Sequence, residues 1–148
     1  MQYLLLIIGI FAAELGIKNQ VERRGKTGEE HPILGGALIL KKYHNNGAFL
    51  NLGEKKKGLV AVCSVLLTVF MAVLFVLSLG TKGTGVLRAG LALLLGGAFS
   101  NTYDRLRRKY VVDYFSFGVK WKPLRNVVFN LADFCIMIGA LMAAVSAP

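Results

Sequence analysis

Four long apolar segments, separated by polar connections, dominate the hydropathy pattern of the chain. A helix needs about 20 predominantly apolar residues to cross the hydrocarbon of a bilayer. Four segments approach or meet that length, and we predict a transmembrane helix in each: residues 1–17, 58–80, 84–103 and 127–147. The second segment has no charged residue. The pattern therefore predicts an α-helical membrane protein, a four-helix bundle that forms a single domain over residues 1–148.

The connection between the first two apolar segments predicts a small β-sheet outside the membrane. Its apolar run, residues 32–40, is too short to cross a bilayer. Together with residues 41–52 it is typical of short strands, interrupted by the turn signal Asn45-Asn46-Gly47. We expect this extramembrane sheet to occupy approximately residues 20–57 and to lie on the membrane surface.

Composition and charge support the membrane assignment and raise a question of orientation. The chain is 55% hydrophobic and 18% charged, which is more apolar than a typical soluble domain. Its net charge is +10, with nine Lys and Arg in residues 18–57, seven in residues 105–125 and two, Lys82 and Arg88, at the second connection and the start of the third span. The positive-inside rule would place the two basic connections in the cytoplasm. No nucleic-acid motif accompanies these charges, so no nucleic-acid partner is expected.

Aspartates and asparagines interrupt the last two apolar segments. Carboxylates at membrane depth are costly and usually functional. Asn101 and Asp104 are three residues apart, as are Asn130 and Asp133. On helices each pair would share a face, so that each asparagine could orient its own carboxylate. The alternative is that these residues are helix caps and polar contacts between helices.

Asp113 and Asp133 are the candidates for acid–base chemistry. Asp113 follows two valines in a strand-like apolar segment, where burial would raise its pKa. If the third connection folds back over the helix ends, the two carboxylates can meet and share one proton. One could then activate a water while the other polarises a scissile carbonyl, as in aspartic proteases. A surface salt bridge is the alternative for Asp113 alone, and we expect Asp104 and Arg105 to form an ion pair that braces the site.

Three motifs follow one another in the last third of the chain: Gly96-Gly97-Ala98-x-x-Asn101-x-x-Asp104-Arg105, Val111-Val112-Asp113 and Phe129-Asn130-x-Ala132-Asp133. Two further signatures lie upstream: the acid Glu14 with Lys18 four residues later, and the Asn-x-Gly-Ala-Phe-like segment from Asn45 to Phe49. Taken together, these motifs resemble the signal peptidase II family of bacterial membrane aspartic peptidases, and the resemblance covers nearly the whole chain.

The resemblance implies an endopeptidase that cuts prolipoproteins before a diacylglyceryl-modified cysteine, with Asp113 and Asp133 as the catalytic pair. It implies that Asn45 helps to bind substrate from the sheet. The supporting residues would be Glu14, Lys18, Gly47, Asn101, Asp104, Arg105 and Asn130. No metal or organic cofactor is implied, and inhibition by globomycin is expected. We further expect a monomer whose partners are the substrate and membrane lipid.

The resemblance also implies a multi-pass protein of the bacterial inner membrane whose active site faces away from the cytoplasm. This contradicts the charge count, but charges within folded segments are poor topology signals. The chain departs from the family pattern at several positions: Glu14 for Asp, Ser100 and Lys109 for Gly, Val127 for Pro, and a segment one residue shorter after Gly47. A divergent, non-catalytic member that binds lipidated peptides or lipid is the alternative function.

Overall fold

Long helices form a bundle, and a three-stranded sheet lies at one end of it. The computed structural model describes residues 1–48 and 53–146. The helices are α1 (Gln2–Arg24), α2 (Lys57–Leu79), α3 (Gly85–Arg107), α4 (Lys122–Arg125) and α5 (Leu131–Ser146). The strands are β1 (Glu30–Ile33), β2 (Leu38–Asn45) and β3 (Val111–Phe117).

Helix α3 is the centre of the bundle and packs against α1, α2 and α5. Its glycines allow α5 to approach closely, because a methyl group at Gly97 would lie 2.5 Å from the carbonyl oxygen of Ala132. A methyl group at Gly90 would likewise lie 2.8 Å from the carbonyl oxygen of Gly139. Small residues at such contacts let helix backbones come together in membranes. The two helices are therefore locked in register along most of α5.

The outer faces of the bundle are apolar. Large exposed side chains cover α1, α2 and α5, among them Leu5, Phe70 and Leu141. So much exposed apolar surface is typical of a protein surrounded by lipid. Within the described residues, two helices are long and apolar enough to cross a membrane, Gln2–Arg24 and the segment Glu54–Leu79, and α5 is a shorter apolar helix. The predicted helical membrane fold with a small sheet is thus confirmed, while the count of four spans stays a prediction.

The sheet joins two connections that are distant in sequence. Its strands are antiparallel in the order β1-β2-β3, so β2 pairs with both neighbours. At the β2–β3 edge, Asn45 lies opposite Val111 and Tyr43 lies opposite Asp113. Because β3 comes from the third connection, the first and third connections lie at the same end of the bundle, as predicted. The participation of β3 in the sheet was not predicted.

Several predicted boundaries are wrong. Helix α1 continues to Arg24, past the expected start of the sheet at residue 20, because its last turns pack on β2 through the Glu22 carboxylate, 2.9 Å from Lys42 Nζ. Strand β2 ends at Asn45, and Glu54–Lys56 forms a short 3-10 helix rather than sheet. Phe49, within residues 49–52, and residues 147–148 lie outside the described part of the chain.

The fourth apolar segment becomes helical later than predicted. Residues 127–130 are not helical, and Phe129 forms an isolated bridge with Phe115 of β3. Helix α5 begins only at Leu131. Phe129 therefore pairs with β3 instead of joining the helix. Asn130 then caps the helix, as the contacts below show.

Candidate active site

Asp113 lies at the centre of a buried polar cluster where β3 meets the start of α5. Its side chain is only 2% exposed. Asn130 Nδ2 donates to Asp113 Oδ1 at 2.7 Å, and Asn45 Nδ2 donates to Oδ2 at 3.1 Å. Each carboxylate oxygen therefore has a fixed amide donor. The turn after β2 holds Asn45 in place, because Gly47 N donates to Asn45 Oδ1 at 3.0 Å.

Asp133 is held in the first turn of α5 by a reciprocal pair of hydrogen bonds. Asp133 N donates to Asn130 Oδ1 at 3.0 Å, and Asn130 N donates to Asp133 Oδ2, also at 3.0 Å. This exchange between the cap residue and the third helical residue is a capping box. Asn101 Nδ2 of α3 donates to the other oxygen, Oδ1, at 2.9 Å.

The two Asn-x-x-Asp motifs therefore act across the site rather than each within one helix. Asn130 precedes α5 instead of sharing a helical face with Asp133, and its side chain serves Asp113. Asn101 orients Asp133 rather than Asp104. The prediction that each asparagine orients the carboxylate of its own motif is wrong for Asn101. For Asn130 it holds only through the cap.

Asp113 and Asp133 face the same cavity and are linked through Asn130. Burial, and then the nearby charge of Asp133, raise the pKa of Asp113 to about 7. A carboxyl group with this pKa is divided between its acid and its ionised form near neutral pH. The arrangement thus suits a pair of carboxylates that shares one proton.

The cavity is large, mostly apolar and opens beside the two aspartates. Its volume is about 820 Å³, within the range of sites that hold ligands of several hundred daltons. The polar end carries Asn45, Asn101, Arg105, Asp113 and Asp133. The apolar walls come from α2, α3, α5 and the segment before α5, with lining residues Leu67, Met71, Leu94, Pro123, Val127, Val128, Phe129, Ile136, Met137 and Ala140. A chain with both apolar and polar parts fits such a cavity.

Lys18 organises the polar residues behind the cavity. It is 1% exposed, and its Nζ lies 3.3 Å from Glu14 Oε2 and 3.0 Å from Asp104 Oδ2. It also donates to Ser100 Oγ at 3.0 Å and to Asn101 Oδ1 at 2.8 Å. The predicted contact between Glu14 and Lys18 is therefore present. Because Lys18 occupies Asn101 Oδ1, the amide nitrogen of Asn101 is directed towards Asp133.

The predicted ion pair between Asp104 and Arg105 is wrong. Asp104 pairs with Lys18 and with Arg108, whose Nε lies 3.3 Å from Asp104 Oδ1, and it accepts Val112 N at 3.1 Å. Arg105 instead donates to the backbone oxygens of Asn101 at 3.3 Å and Gly47 at 3.2 Å. Side chains of adjacent residues on a helix do not face each other, so Asp104 and Arg105 do not meet. Asp104 thereby holds the start of β3, and Arg105 holds the turn that carries Asn45.

Sequence reasoning missed Tyr114. On a strand, neighbouring side chains point to opposite faces, and Tyr114 accordingly points away from the cavity, towards α1. Its hydroxyl donates to Glu14 Oε1 at 2.6 Å and accepts Leu131 N at 2.9 Å. The available signal was a tyrosine in an apolar strand, because a buried tyrosine hydroxyl needs a partner.

Metal ligation finds no support in the described ranges. Within residues 1–48 and 53–146, no group of three or more His, Cys, Asp or Glu side chains is arranged to hold a metal ion. The buried carboxylates described above are instead occupied by amide, backbone, lysine and tyrosine donors.

Comparison with known proteins identifies the family. The family model of signal peptidase II matches residues 6–147. The lipoprotein signal peptidase of Moorella thermoacetica is 34% identical over 143 residues, covering 96% of this chain and 89% of that protein. The lipoprotein signal peptidase of Halothermothrix orenii is 32% identical over 142 residues, covering 96% of this chain and 91% of that protein.

A solved structure supports the fold independently. A bacterial membrane enzyme determined by the in meso method at 2.3 Å resolution superposes with a TM-score of 0.83 at 19% identity, covering 98% of this chain and 86% of that one. At this identity the match supports the fold alone, and the family assignment rests on the sequence matches. The chain belongs to the signal peptidase II family, a family of membrane peptidases that process prolipoproteins.

Proposed function

We propose that this chain removes signal peptides from prolipoproteins by aspartic catalysis with Asp113 and Asp133. The observation that carries the proposal is the shared environment of the two carboxylates. They face one cavity, Asn130 contacts both, and the pKa of Asp113 is raised to about 7. The non-catalytic alternative is not favoured, because the matched family and relatives are peptidases.

The proposed reaction uses a pair of carboxyl groups that holds one proton. The ionised carboxylate takes a proton from a water molecule, whose oxygen attacks the scissile carbonyl carbon. The protonated partner gives its proton to the carbonyl oxygen, as in aspartic proteases. Collapse of the tetrahedral intermediate breaks the C–N bond: the proton taken from water passes to the leaving amine, and a hydroxyl proton of the intermediate returns to the partner carboxylate, which restores the pair. The products are the signal peptide with a new carboxyl terminus and the lipoprotein with a free amino-terminal cysteine.

The shape of the cavity supports a substrate that is part lipid and part peptide. Its apolar walls lie between α2, α3 and α5, where a signal-peptide helix or an acyl chain could enter sideways from the bilayer. Its polar end lies beside the sheet, where Asn45 can contact the backbone around the lipid-modified cysteine. Nothing in this proposal requires a metal or organic cofactor, and globomycin is expected to compete with the substrate for the cavity.

Substitution of each aspartate tests the catalytic assignment. Asp113→Asn and Asp133→Asn should each abolish cleavage of a diacylglyceryl prolipoprotein, because an amide can neither take the proton from water nor share it. The measurement is a gel-shift assay on protein purified in detergent, with and without globomycin. Glu30→Gln, which changes an exposed carboxylate of β1 outside the cavity to an amide, is the matched control and should retain turnover. Turnover by a folded aspartate variant would remove that residue from the mechanism.

We also propose that α1, α2, α3 and α5 all cross the bacterial inner membrane, and that the sheet and active site lie on the extracytoplasmic side. Helix α3 carries more polar residues than a typical span, but its neighbours surround it, so little of it faces lipid. Helix α5 is short, and the non-helical segment before it pairs with β3 of the sheet through Phe129. The protein is expected to act as a monomer in contact with lipid.

Cysteine labelling in intact cells tests this orientation. A cysteine at Lys26, at the sheet end, should react with a membrane-impermeant thiol reagent, whereas one at Lys82, in the connection at the other end, should react only after lysis. A Cys63→Ala, Cys135→Ala background removes the two native thiols. The reverse labelling pattern would place the active site in the cytoplasm, as the positive-inside rule suggests.

A further inference from the structure

Tyr114 connects the first helix of the bundle to the start of the helix that carries Asp133. Its side chain is 9% exposed. The hydroxyl donates to Glu14 Oε1 of α1 at 2.6 Å and accepts the backbone N–H of Leu131 at 2.9 Å. Leu131 is the first residue of α5, two positions before Asp133.

The backbone of Tyr114 is also hydrogen-bonded to the segment that leads into α5. Tyr114 N donates to Phe129 O at 2.9 Å, and Phe115 N donates to the same oxygen at 3.1 Å. Tyr114 therefore contacts the residues immediately before and after Asn130, while its neighbour Asp113 accepts the Asn130 side chain. Two consecutive residues of β3 thus hold three consecutive residues at the start of α5.

The Tyr114 hydroxyl also accepts a backbone N–H group at the start of α5 that has no partner within the helix. The first backbone N–H groups of a helix have no acceptor within the helix, and Asn130 and Asp133 satisfy only part of the set at α5. The hydroxyl of Tyr114 accepts one of the others. Burial, and then the nearby Glu14 charge, raise the pKa of Tyr114, so the phenol stays protonated and can donate to Glu14. The negative charge of Glu14, on the other side of the tyrosine hydroxyl, also complements the positive end of the helix dipole.

We propose that Tyr114 is a positioning residue that sets the position of Asp133 relative to Asp113 by bridging Glu14 and the first N–H of α5. This inference rests on the proposed catalytic pair. Its consequence is that α1, which contributes no residue to the cavity wall, influences the reaction through Glu14 and the tyrosine. Without the hydroxyl, the first turn of α5 loses its link to α1, and the separation of the two carboxylates is less well defined.

Tyr114→Phe tests the inference, because it removes only the hydroxyl. We expect kcat to fall roughly 5- to 20-fold, which corresponds to about 1–2 kcal/mol, with little change in KM. We also expect the bell-shaped pH profile of kcat to narrow, because a looser pair of carboxylates interacts more weakly and its two apparent pKa values move closer together. Tyr103→Phe is the matched control: that ring is 37% exposed and packs on Phe11. The control should keep wild-type kcat and pH profile.

The outcomes separate this inference from the proposed function. If the wild type fails to cleave, or if Asp113→Asn or Asp133→Asn remains active, the catalytic assignment is wrong. If the wild type is active and folded Tyr114→Phe matches it in kcat and pH profile, the positioning role is overturned. A loss of thermal stability with unchanged kcat and pH profile also overturns it, because the role would then be structural only.

A second variant carries the test if Tyr114→Phe does not fold. Glu14→Asp keeps the negative charge beside Lys18 but shortens the side chain by one methylene, which draws the carboxylate away from the tyrosine hydroxyl. It should narrow the pH profile and lower kcat at least about twofold, because a weakened hydrogen bond is worth a fraction of 1 kcal/mol. An unchanged profile and kcat in this variant would count against the bridge.

Discussion

The side chain of Asn130 performs two separable tasks, and substitutions can distinguish them. Its oxygen caps α5 by accepting Asp133 N at 3.0 Å, and its nitrogen donates to Asp113 Oδ1 at 2.7 Å. Asn130→Ala removes both contacts, together with a longer hydrogen bond from the same nitrogen to Asn101 Oδ1 at 3.3 Å. Asn130→Ser keeps a good capping group, since serine is a preferred cap residue, but its hydroxyl is too short to reach Asp113.

The magnitudes follow from the contacts that each variant loses. Loss of a cap costs roughly 1 kcal/mol, and loss of a buried hydrogen bond to a charged group costs roughly 1.5–3 kcal/mol. Asn130→Ala should therefore reduce the free energy of unfolding by roughly 2.5–4 kcal/mol. Asn130→Ser should recover about 1 kcal/mol of that loss. Both should lower kcat by roughly 10- to 150-fold, if the lost orientation of Asp113 is felt fully in the transition state.

The assay compares unfolding in detergent with cleavage of a lipid-modified substrate. Gln20→Ala, at an exposed amide residue of α1 outside the cavity, is the control and should leave both quantities near wild type. Wild-type kcat in Asn130→Ser would refute the orienting role of the amide nitrogen. Equal destabilisation by Ala and Ser would refute the capping role.

Three further predictions concern burial, helix contact and protonation. Lys18→Met, which removes the buried cation beside Glu14 and leaves Asp104 with Arg108 alone, should cost roughly 3–5 kcal/mol of unfolding free energy, whereas the exposed Lys26→Met should cost less than about 0.5 kcal/mol; equal losses in denaturant titrations would contradict this. Gly97→Ala, which forces α5 away from α3, should cost roughly 1–3 kcal/mol, but Gly9→Ala, with open space around it, should gain up to about 1 kcal/mol; a thermal-shift series with the opposite order would show that the close contact is unimportant. Because Asp113 keeps its proton up to a pKa of about 7, against 3.8 for a free carboxyl, it favours the folded state most below pH 3.8 and loses that contribution, at most about 4 kcal/mol, as the pH rises to about 7. Asp113→Asn should flatten that part of the stability–pH curve, and an unchanged slope would show that the pKa of Asp113 is not raised in the folded protein.

The chemical character of the site could be predicted from local sequence because it depends on which residue types occur in an apolar context. An aspartate after two valines, and another at the start of an apolar segment, are costly unless they are used. The order of the four apolar segments predicted that the first and third connections lie at one end of the bundle, and the pairing of β2 with β3 confirms this. Glu14 and Lys18 could be paired from their spacing alone, since residues four apart on a helix are neighbours.

The partners within the site could not be predicted, because they depend on contacts between residues far apart in sequence. Spacing suggested that each asparagine serves its own aspartate, but Asn101 serves Asp133, 32 residues away. Spacing also suggested an Asp104–Arg105 pair, but the packing of α1 brings Lys18 to Asp104 instead. Local spacing predicts which side chains share a face, whereas the element that packs against that face decides what they bind.

Sequence alone thus determined that the chain is helical, apolar on its surface and equipped with two aspartates suited to proton sharing, because hydropathy and residue type are local properties. The tertiary structure alone decided where α5 begins, which amide orients each carboxylate, and that Tyr114 joins α1 to the active site. Those features arise when β3 pairs with β2 and with Phe129 and brings the third connection onto the helix ends. Pairing between distant segments has no periodic signature within either segment, so only the folded chain displays it.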